Sequence, residues 1–324
     1  MPINVTLRAS LPQNALDALP PLLEELFRMA LEIVEVPDGA VEQVVIADDT
    51  QFGTAVYEFQ DAAGRRREYT DKGLNLAVGK TVPFRPTPET VVSRIVLLSN
   101  IVLEALTPVL HETPPERWAL SERTCFYIVC HELGHGIDNF TRRDDDDPPH
   151  EESPGDFRVA QLAKYYLVIL KGELAASALS AGAMTEDVFE DSATQLRDLA
   201  RTALAAVNTL REAYQGGDES KLYDLGVGAA HTFWTIAVQY VKLVASAAAN
   251  PDLPQGEIEL WDGAPEGAHE ALRRLAGLVR LMWAGYPDWT DEHDSALQET
   301  WDRLAKAHGY EFYSAAEADG LRLH

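Results

Sequence analysis

Cysteine is nearly absent from this 324-residue chain, which contains only Cys125 and Cys130. Side chains five residues apart on one helix point about 140° apart, which is too divergent for an easy disulfide. The segment from Met1 to Val5 has neither a basic stretch nor a continuous apolar one, which argues against an uncleaved secretory signal, and a mature secreted form is the alternative. Together, these absences predict a protein of the reducing cytoplasm.

Basic residues are scarce as well. The chain has 27 lysines and arginines against 52 aspartates and glutamates, and the formal net charge is −25. Such a charge repels a nucleic-acid backbone unless a local basic patch intervenes. The basic cluster Arg65-Arg66-Arg67 follows the turn signal Ala63-Gly64, which favours a solvated strand end over an anion site. We therefore expect no nucleic-acid partner.

No apolar run is long enough to cross a membrane. The most apolar long segment, from Ile95 to Leu110, is interrupted by Ser99, Asn100, Glu104 and Pro108. It falls short of the roughly 20 apolar residues that a bilayer span requires. With 46% hydrophobic residues, the chain can nevertheless bury a large core. The sequence predicts a folded globular protein without a membrane anchor.

The first part of the chain has the patterns of a small sheet. Residues 2–8 alternate polar and apolar side chains, which predicts a strand, and Leu19–Val34 has helical spacing. Further strands are predicted at Val41–Ile46, Ala55–Phe59 and Leu74–Val82, with turn signals between them. A small mixed N-terminal β-sheet follows from this pattern.

From Thr87 onward the pattern becomes helical, because Thr87-Pro88 offers an N-cap followed by proline. A capping box at Thr113–Glu116 opens a helix, with a second possible start at Ser121, that runs to about Asn139. Another helix is predicted from Asp156 to about Leu179. The remainder is divided by glycine and proline into long helices.

These patterns predict an α+β fold that is predominantly helical. We expect a sheet-containing lobe at residues 1–140 and an all-helical C-terminal lobe at residues 141–324. The charged, proline-broken segment at residues 142–152 is predicted to be a surface loop. Its four aspartates, 144–147, lack the spaced ligands and turn glycine of a calcium loop.

The clearest chemical signal is the pentapeptide His131-Glu132-Leu133-Gly134-His135, an HExxH sequence in a helical stretch. Helical residues four apart lie about 40° apart around the axis, so both imidazoles can reach one ion. Paired neutral imidazoles favour zinc, with a third nitrogen or oxygen ligand. The alternative is a chance match in a chain with nine histidines.

The motif helix should also have an apolar side. Leu133 points about 200° away from His131, which leaves the histidine face for a cleft. Gly134 is a poor helix residue, and its position between the histidines indicates that another backbone or a substrate comes close. The apolar stripe that faces the core comprises Phe126, Val129, Leu133, Ile137 and Phe140.

Glu173 is the predicted third ligand. It lies one turn beyond Ile169 and Leu170 in a mostly apolar helix, so its carboxylate is expected to point inward. A buried carboxylate without a partner is costly, and a metal ion would satisfy it. The alternatives are a salt-bridged core glutamate, or a different ligand from the set Asp138, His150, Glu151 and Asp156.

Residues from the start of the motif helix to Ser177 resemble the gluzincin group of HExxH metallopeptidases. In that group two histidines come from one helix and a glutamate from the next, often in a Glu-x-x-Ala or Glu-x-x-Ser context, and Glu173-Leu174-Ala175-Ala176-Ser177 is similar. A metzincin would need glycine and histidine where this chain has Asp138 and Thr141. The resemblance implies a zinc ion on His131, His135 and Glu173, within a zincin-like two-lobe architecture.

The resemblance also implies roles around the metal. Glu132 would be the general base that takes a proton from water and passes it to the leaving amine. Gluzincins commonly use a further histidine or tyrosine on the oxyanion, and His231 is the first candidate, before Tyr165, Tyr166 and Tyr223. The alternative for His231 is a core histidine that is hydrogen-bonded to a neighbouring carbonyl.

Two residues could orient the ligands. Asp138 lies on nearly the same helix face as His131 and could accept the outer N–H of an imidazole, or it could be a polar residue at the helix end. Ser177, one turn after Glu173, could orient a ligand in the same way.

The sequence therefore predicts a cytoplasmic zinc metallopeptidase with a peptide or protein substrate. The alternatives are a zincin-fold binding module without turnover, a zinc hydrolase of a non-peptide amide or ester, and an enzyme kept latent by a covering segment or partner.

Overall fold

The computed structural model describes residues 3–9, 13–62, 78–87, 89–142, 159–315 and 318–324. The fold is predominantly helical with a small mixed sheet near the N-terminus, as the sequence predicts. The chain divides into two compact units. The first comprises Met1–Asp145, Ala175–Phe189 and Ala249–Leu253, and the second comprises Asp146–Leu174, Glu190–Ala248 and Pro254–His324.

The sheet of the first unit has four strands. They are β1 (Asn4–Arg8), β2 (Val41–Ala47), β3 (Gly79–Thr87) and β4 (Thr90–Leu98), and their order in the sheet is β1-β2-β4-β3. β1, β2 and β4 run parallel, whereas β3 pairs antiparallel with β4. β3 is therefore an edge strand of this sheet.

Both faces of the sheet are covered by helices. On one face Val45, Val82 and Val96 form a buried cluster with side chains of α2 (Asp49–Ala62). Residues on the opposite face alternate with these, because successive side chains of a strand point to opposite sides. That opposite face is available to the remaining helices of the unit.

Three helices complete the main part of the first unit. α1 spans Gln13–Val34, α3 spans Ser99–Leu110 and α4, the motif helix, spans Leu120–Arg142. α4 contacts strands β2, β3 and β4 as well as α1 and α3. The motif helix is thus packed on several sides, which fixes its position over the sheet.

The next helix, α5 (Val159–Leu179), is continuous across the division of the chain, which falls between Leu174 and Ala175. The helices that follow are α6 (Glu186–Gln215), α7 (Leu222–Ala249), α8 (Glu266–Ala284) and α9 (Asp291–Ala307). Within the described ranges, no helix combines the length and the apolar character that crossing a bilayer demands.

Aromatic side chains form much of the core of the second unit. Trp234 stacks on Tyr166 at 5.4 Å between ring centroids and on Trp301 at 5.1 Å. Phe312 continues the stack, 4.9 Å from Trp301. Trp234 and Trp301 are core residues, since they are 1% and 2% exposed.

Two predicted elements in the first unit are wrong. Ala55–Phe59 belongs to α2 and not to a strand, because Phe52, Ala55, Val56 and Phe59 recur at helical spacing and bury one helix face. The segment after Thr87 is strand β4 and not the start of a helix. β4 is rich in β-branched residues, which suit a buried strand and outweigh the capping signal.

The all-helical C-terminal lobe is also corrected. A hairpin of β5 (Tyr310–Ala315) and β6 (Ala318–Leu323) follows α9. Tyr310 is 1% exposed, and its aromatic neighbours favour strand over helix. The predictions for Arg65–Arg67 and for residues 143–152, and most of the strand predicted at Leu74–Val82, lie outside the described residues.

Candidate metal centre

The motif helix begins later than its first capping signal indicates. Pro115–Arg117 forms a short 3₁₀ turn, and α4 starts at Leu120. The backbone N–H of Ala119 donates to the Glu122 carboxylate at 2.7 Å, which satisfies a donor that the helix start would otherwise leave unpaired. The predicted second start near Ser121 is therefore the better one.

The apolar stripe of α4 is largely as predicted. Phe126, Val129, Leu133 and Ile137 are all buried, whereas Phe140 is partly exposed. The histidine face is more enclosed than expected, since His131 is only 5% exposed and Glu132 only 8% exposed. His135 is the more accessible of the two histidines.

The two histidines face each other across one helical turn. Their ring centroids are 4.8 Å apart and their planes are nearly perpendicular, at 84°. Tyr127 lies one turn before His131 and its ring centroid is 5.8 Å from that imidazole. The four-residue spacing on a regular helix thus brings the imidazoles to one place, as the sequence predicts.

Glu173 lies with the two histidines. One ligand atom from each of His131, His135 and Glu173 can be chosen so that all three lie within 4.8 Å of one another. Among the described residues, no other group of three histidine, cysteine, aspartate or glutamate side chains meets this distance criterion. The rival ligands His150, Glu151 and Asp156 lie outside the described residues, and Asp138 is not in the group.

Gly134 explains how α5 comes close to the motif helix. A Cβ atom at Gly134 would lie 2.7 Å from the carbonyl oxygen of Ala176, on α5. The prediction that another backbone approaches here is confirmed. Glu173 stands about one turn before Ala176 on the same continuous helix.

A second glycine of α4 fits the helix to the sheet. A Cβ atom at Gly136 would lie 2.8 Å from Cγ2 of Val41, on β2. Asn139, one turn later, donates from Nδ2 to Oγ of Ser93 on β4 at 3.1 Å. The motif helix is therefore held closely against the sheet on one side and against α5 on another.

Glu173 also forms an ion pair. Its Oε2 lies 3.3 Å from Nζ of Lys242 on α7, and the two side chains are 22% and 27% exposed. The sequence left open whether Glu173 is a ligand or a salt-bridged glutamate. The structure shows the ion pair, and the ligand role stays a prediction. A carboxylate has two oxygen atoms, so one side chain can form an ion pair and also act as a metal ligand.

Glu132 is held by the edge strand β3. The hydroxyl of Thr81 donates to Oε2 of Glu132 at 2.7 Å and lies 3.0 Å from its backbone carbonyl oxygen. Gly79, two residues earlier, lies so close that a Cβ atom there would be 2.5 Å from Cγ of Glu132. The carboxylate is thus nearly buried yet hydrogen-bonded.

Asp138 pairs with Arg142. Arg142 donates from Nε to Oδ1 of Asp138 at 2.6 Å and forms a second contact to Oδ2. Asp138 is 1% exposed, so this ion pair neutralises a buried carboxylate one turn after the motif. An orienting role toward His131 stays a prediction, as does the role of Ser177, which is fully buried on α5.

His231 lies on α7 and hydrogen-bonds through Nδ1 to the hydroxyl of Tyr166 on α5. Tyr166 precedes Glu173 by seven residues, or about 10 Å along α5. The ring of Tyr165 contacts that of Tyr166, whereas Tyr223 is 47% exposed at the start of α7. The oxyanion role of His231 stays a prediction; His231 is partly buried, and the partner shown here is a tyrosine hydroxyl and not the carbonyl of the alternative.

The two cysteines are free thiols, as predicted. Burial raises the pKa of Cys130 far above its ordinary value, and burial together with Glu104 raises the pKa of Cys125 to about 11. Both are therefore protonated near neutral pH, which makes them poor metal ligands and poor nucleophiles.

Sequence reasoning missed Thr81, Gly79 and Lys242. Lys242 had a signal, because α7 contains few charged residues and a lysine in its apolar stretch needs a partner. Thr81 and Gly79 had no such signal, since their strand had to be placed beside the motif helix first.

The fold and site define a mostly helical α+β protein with a histidine–carboxylate cluster. No family model, curated protein or solved structure matches the chain.

Proposed function

We propose that this protein is a gluzincin-like zinc metallopeptidase, with zincin-like architecture, in which His131, His135 and Glu173 hold the zinc ion. The observation that carries the proposal is the convergence of two imidazoles and one carboxylate beside an HExxH glutamate. A purely structural site would not need Glu132, whereas a hydrolytic one needs a general base.

The donor set fits zinc. Catalytic zinc sites use three protein ligands of the imidazole and carboxylate type and leave one position open. Zinc–ligand distances of about 2.0–2.2 Å in a tetrahedral site imply ligand separations of about 3.4 Å. The three ligand atoms lie within 4.8 Å of one another, so closure requires shifts of roughly 1 Å, within reach of side-chain rotation.

The residues around the site supply the remaining chemistry. When bound, zinc would acidify a water molecule and polarise the scissile carbonyl. Glu132 accepts the proton of the attacking water and transfers it to the leaving amine, so that hydrolysis proceeds without a covalent intermediate. The enclosure of Glu132, which is 8% exposed, keeps its carboxylate in one place.

A second candidate function is a binding module with this fold and no turnover. The contact between Glu173 and Lys242 favours it, because an ion-paired glutamate does not need a metal ion. The hydrogen bond of Thr81 to Glu132 favours the enzyme, because it orients the one carboxylate that a binding module would not use.

We further propose a cytoplasmic location and a peptide or protein substrate. Neither nucleic acid nor a membrane is proposed as a partner, in keeping with the net charge of −25.

The test of the proposed function is cleavage of a peptide library by the zinc-loaded protein. We expect cleavage that a chelator abolishes and added zinc restores, since the site rather than the fold carries the activity. A parallel panel of small esters and non-peptide amides separates the two hydrolase alternatives. Hydrolysis of the panel without any peptide cleavage would contradict the peptidase assignment, and no turnover of either would favour the binding module.

A further inference from the structure

The contacts of β3 with Glu132 point to a role for an edge strand that carries no motif residue. Gly79 and Thr81 are two residues apart on β3, so they share one face of the strand. Val82, which follows Thr81, lies in the apolar cluster with α2 on the opposite side. The register of β3 therefore presents Gly79 and Thr81 together to the motif helix.

The pairing of β3 with β4 fixes that register. Thr81 lies opposite Ile95 and Gly79 lies opposite Leu97, and both partners are 1% exposed. A shift by one residue would turn Gly79 and Thr81 to the other face and remove Val82 from the buried cluster with α2. The strand pairing and the burial of Val82 thus set the position of the two residues relative to α4.

Each residue acts on a different part of Glu132. Thr81 donates its hydroxyl proton to Oε2 at 2.7 Å, which fixes one carboxylate oxygen. Gly79 provides space, since an added Cβ atom would lie 2.5 Å from Cγ and 2.8 Å from Oε1. Any larger residue at position 79 would displace the carboxylate.

We propose that β3 positions the general base: Thr81 holds the Glu132 carboxylate by a hydrogen bond, and Gly79 leaves the room that this conformation requires. Thr81 and Gly79 are positioning residues, which act on the reaction only through Glu132. The catalytic consequence rests on the proposed function, whereas the contact itself does not.

The first arm of the test uses the metal-free protein and measures the urea midpoint of unfolding. Thr81→Val should lower the midpoint in the wild-type background, because Glu132 loses the donor that compensates its burial. In an E132A background, the same change should lower the midpoint clearly less, because only the contact of the Thr81 hydroxyl with the backbone carbonyl of residue 132 is left to lose. An equal effect in both backgrounds, or no effect in either, would overturn the proposed contact.

The second arm uses the zinc-loaded protein and measures kcat and KM on a cleaved peptide. A misplaced general base should lower the kcat of Thr81→Val by about 10- to 100-fold with KM nearly unchanged. Zinc content should stay at the wild-type value. Thr81→Ser, which keeps the hydroxyl, should restore most of the lost kcat, and Gly79→Ala should lower kcat although it leaves Thr81 in place.

Thr87→Val is the matched control. Thr87 lies on the same strand, and its hydroxyl donates to Thr90 rather than to Glu132. A kcat of Thr81→Val equal to that of Thr87→Val would overturn the positioning role. Absence of cleavage by the wild-type protein would instead contradict the proposed function, while the unfolding arm still decides whether Thr81 holds Glu132.

Discussion

Glu132→Gln should reduce the kcat for peptide hydrolysis by about 10²- to 10⁴-fold, the usual contribution of a general base. Glutamine has the shape of glutamate and can still accept the hydrogen bond of Thr81, so the local structure should persist. What is lost is the ability to take a proton from water. Zinc content should not change, because Glu132 is not among the three clustered ligands.

The matched control for this prediction is Glu122→Gln, the same substitution on the same helix. Glu122 accepts a hydrogen bond from the backbone of Ala119, which glutamine can also accept. This variant should retain wild-type kcat. If Glu132→Gln were as active as Glu122→Gln, Glu132 would not be the general base, and a variant that lost its zinc would show a structural effect instead.

Gly134→Ala should destabilise the protein by about 1–3 kcal/mol, the usual cost of overpacking. Alanine favours a helix over glycine by about 1 kcal/mol, but this gain is smaller than the cost of the clash. The added Cβ atom would lie 2.7 Å from the backbone oxygen of Ala176, and a backbone cannot rotate away. α5 must shift, so zinc affinity should fall together with the free energy of unfolding.

Gly277→Ala provides the opposite expectation for an identical substitution. Gly277 is exposed within α8, and an added Cβ atom would have nothing within 4 Å. The free energy of unfolding should therefore rise by about 0.5–1 kcal/mol. Urea unfolding of both variants measures the difference, and a stabilising Gly134→Ala would contradict the close approach of α5.

The fold was predictable where one pattern dominates a segment. α4 has a buried apolar stripe with helical spacing, and β2 has a continuous apolar run, so their types are evident from the sequence. The segment of β4 was misread because Thr87-Pro88 resembles a helix start. Local capping preferences amount to about 1 kcal/mol, which the burial of a strand between two neighbours outweighs.

The hairpin of β5 and β6 was missed for a different reason. Strand β5 packs against residues that are far away in the sequence. Tyr310 is buried against Phe233 on α7, and their ring centroids are 5.5 Å apart. The sequence around Tyr310 does not indicate that contact. Tertiary packing decided the element, as it commonly does for short segments.

The residues of the candidate site were likewise predictable only in part. His131 and His135 follow from helix geometry alone, because four residues complete about one turn. Glu173 required an argument from burial, and the structure brings it to the histidines together with Lys242. Thr81 could not be inferred, since its contact with Glu132 spans 51 residues and depends on the strand order of the sheet.

The most direct test of the central claim is the zinc content of the wild-type protein and of Glu173→Ala, both purified without chelator and measured by mass spectrometry. Glu299→Ala is the control, because Glu299 is likewise a helical glutamate in an ion pair, with Arg303 on α9. We predict about one zinc per chain for the wild type and the control, and a markedly lower content for Glu173→Ala. A wild-type protein that binds no zinc even after reconstitution, or a Glu173→Ala variant that retains all of it, would contradict the proposed centre.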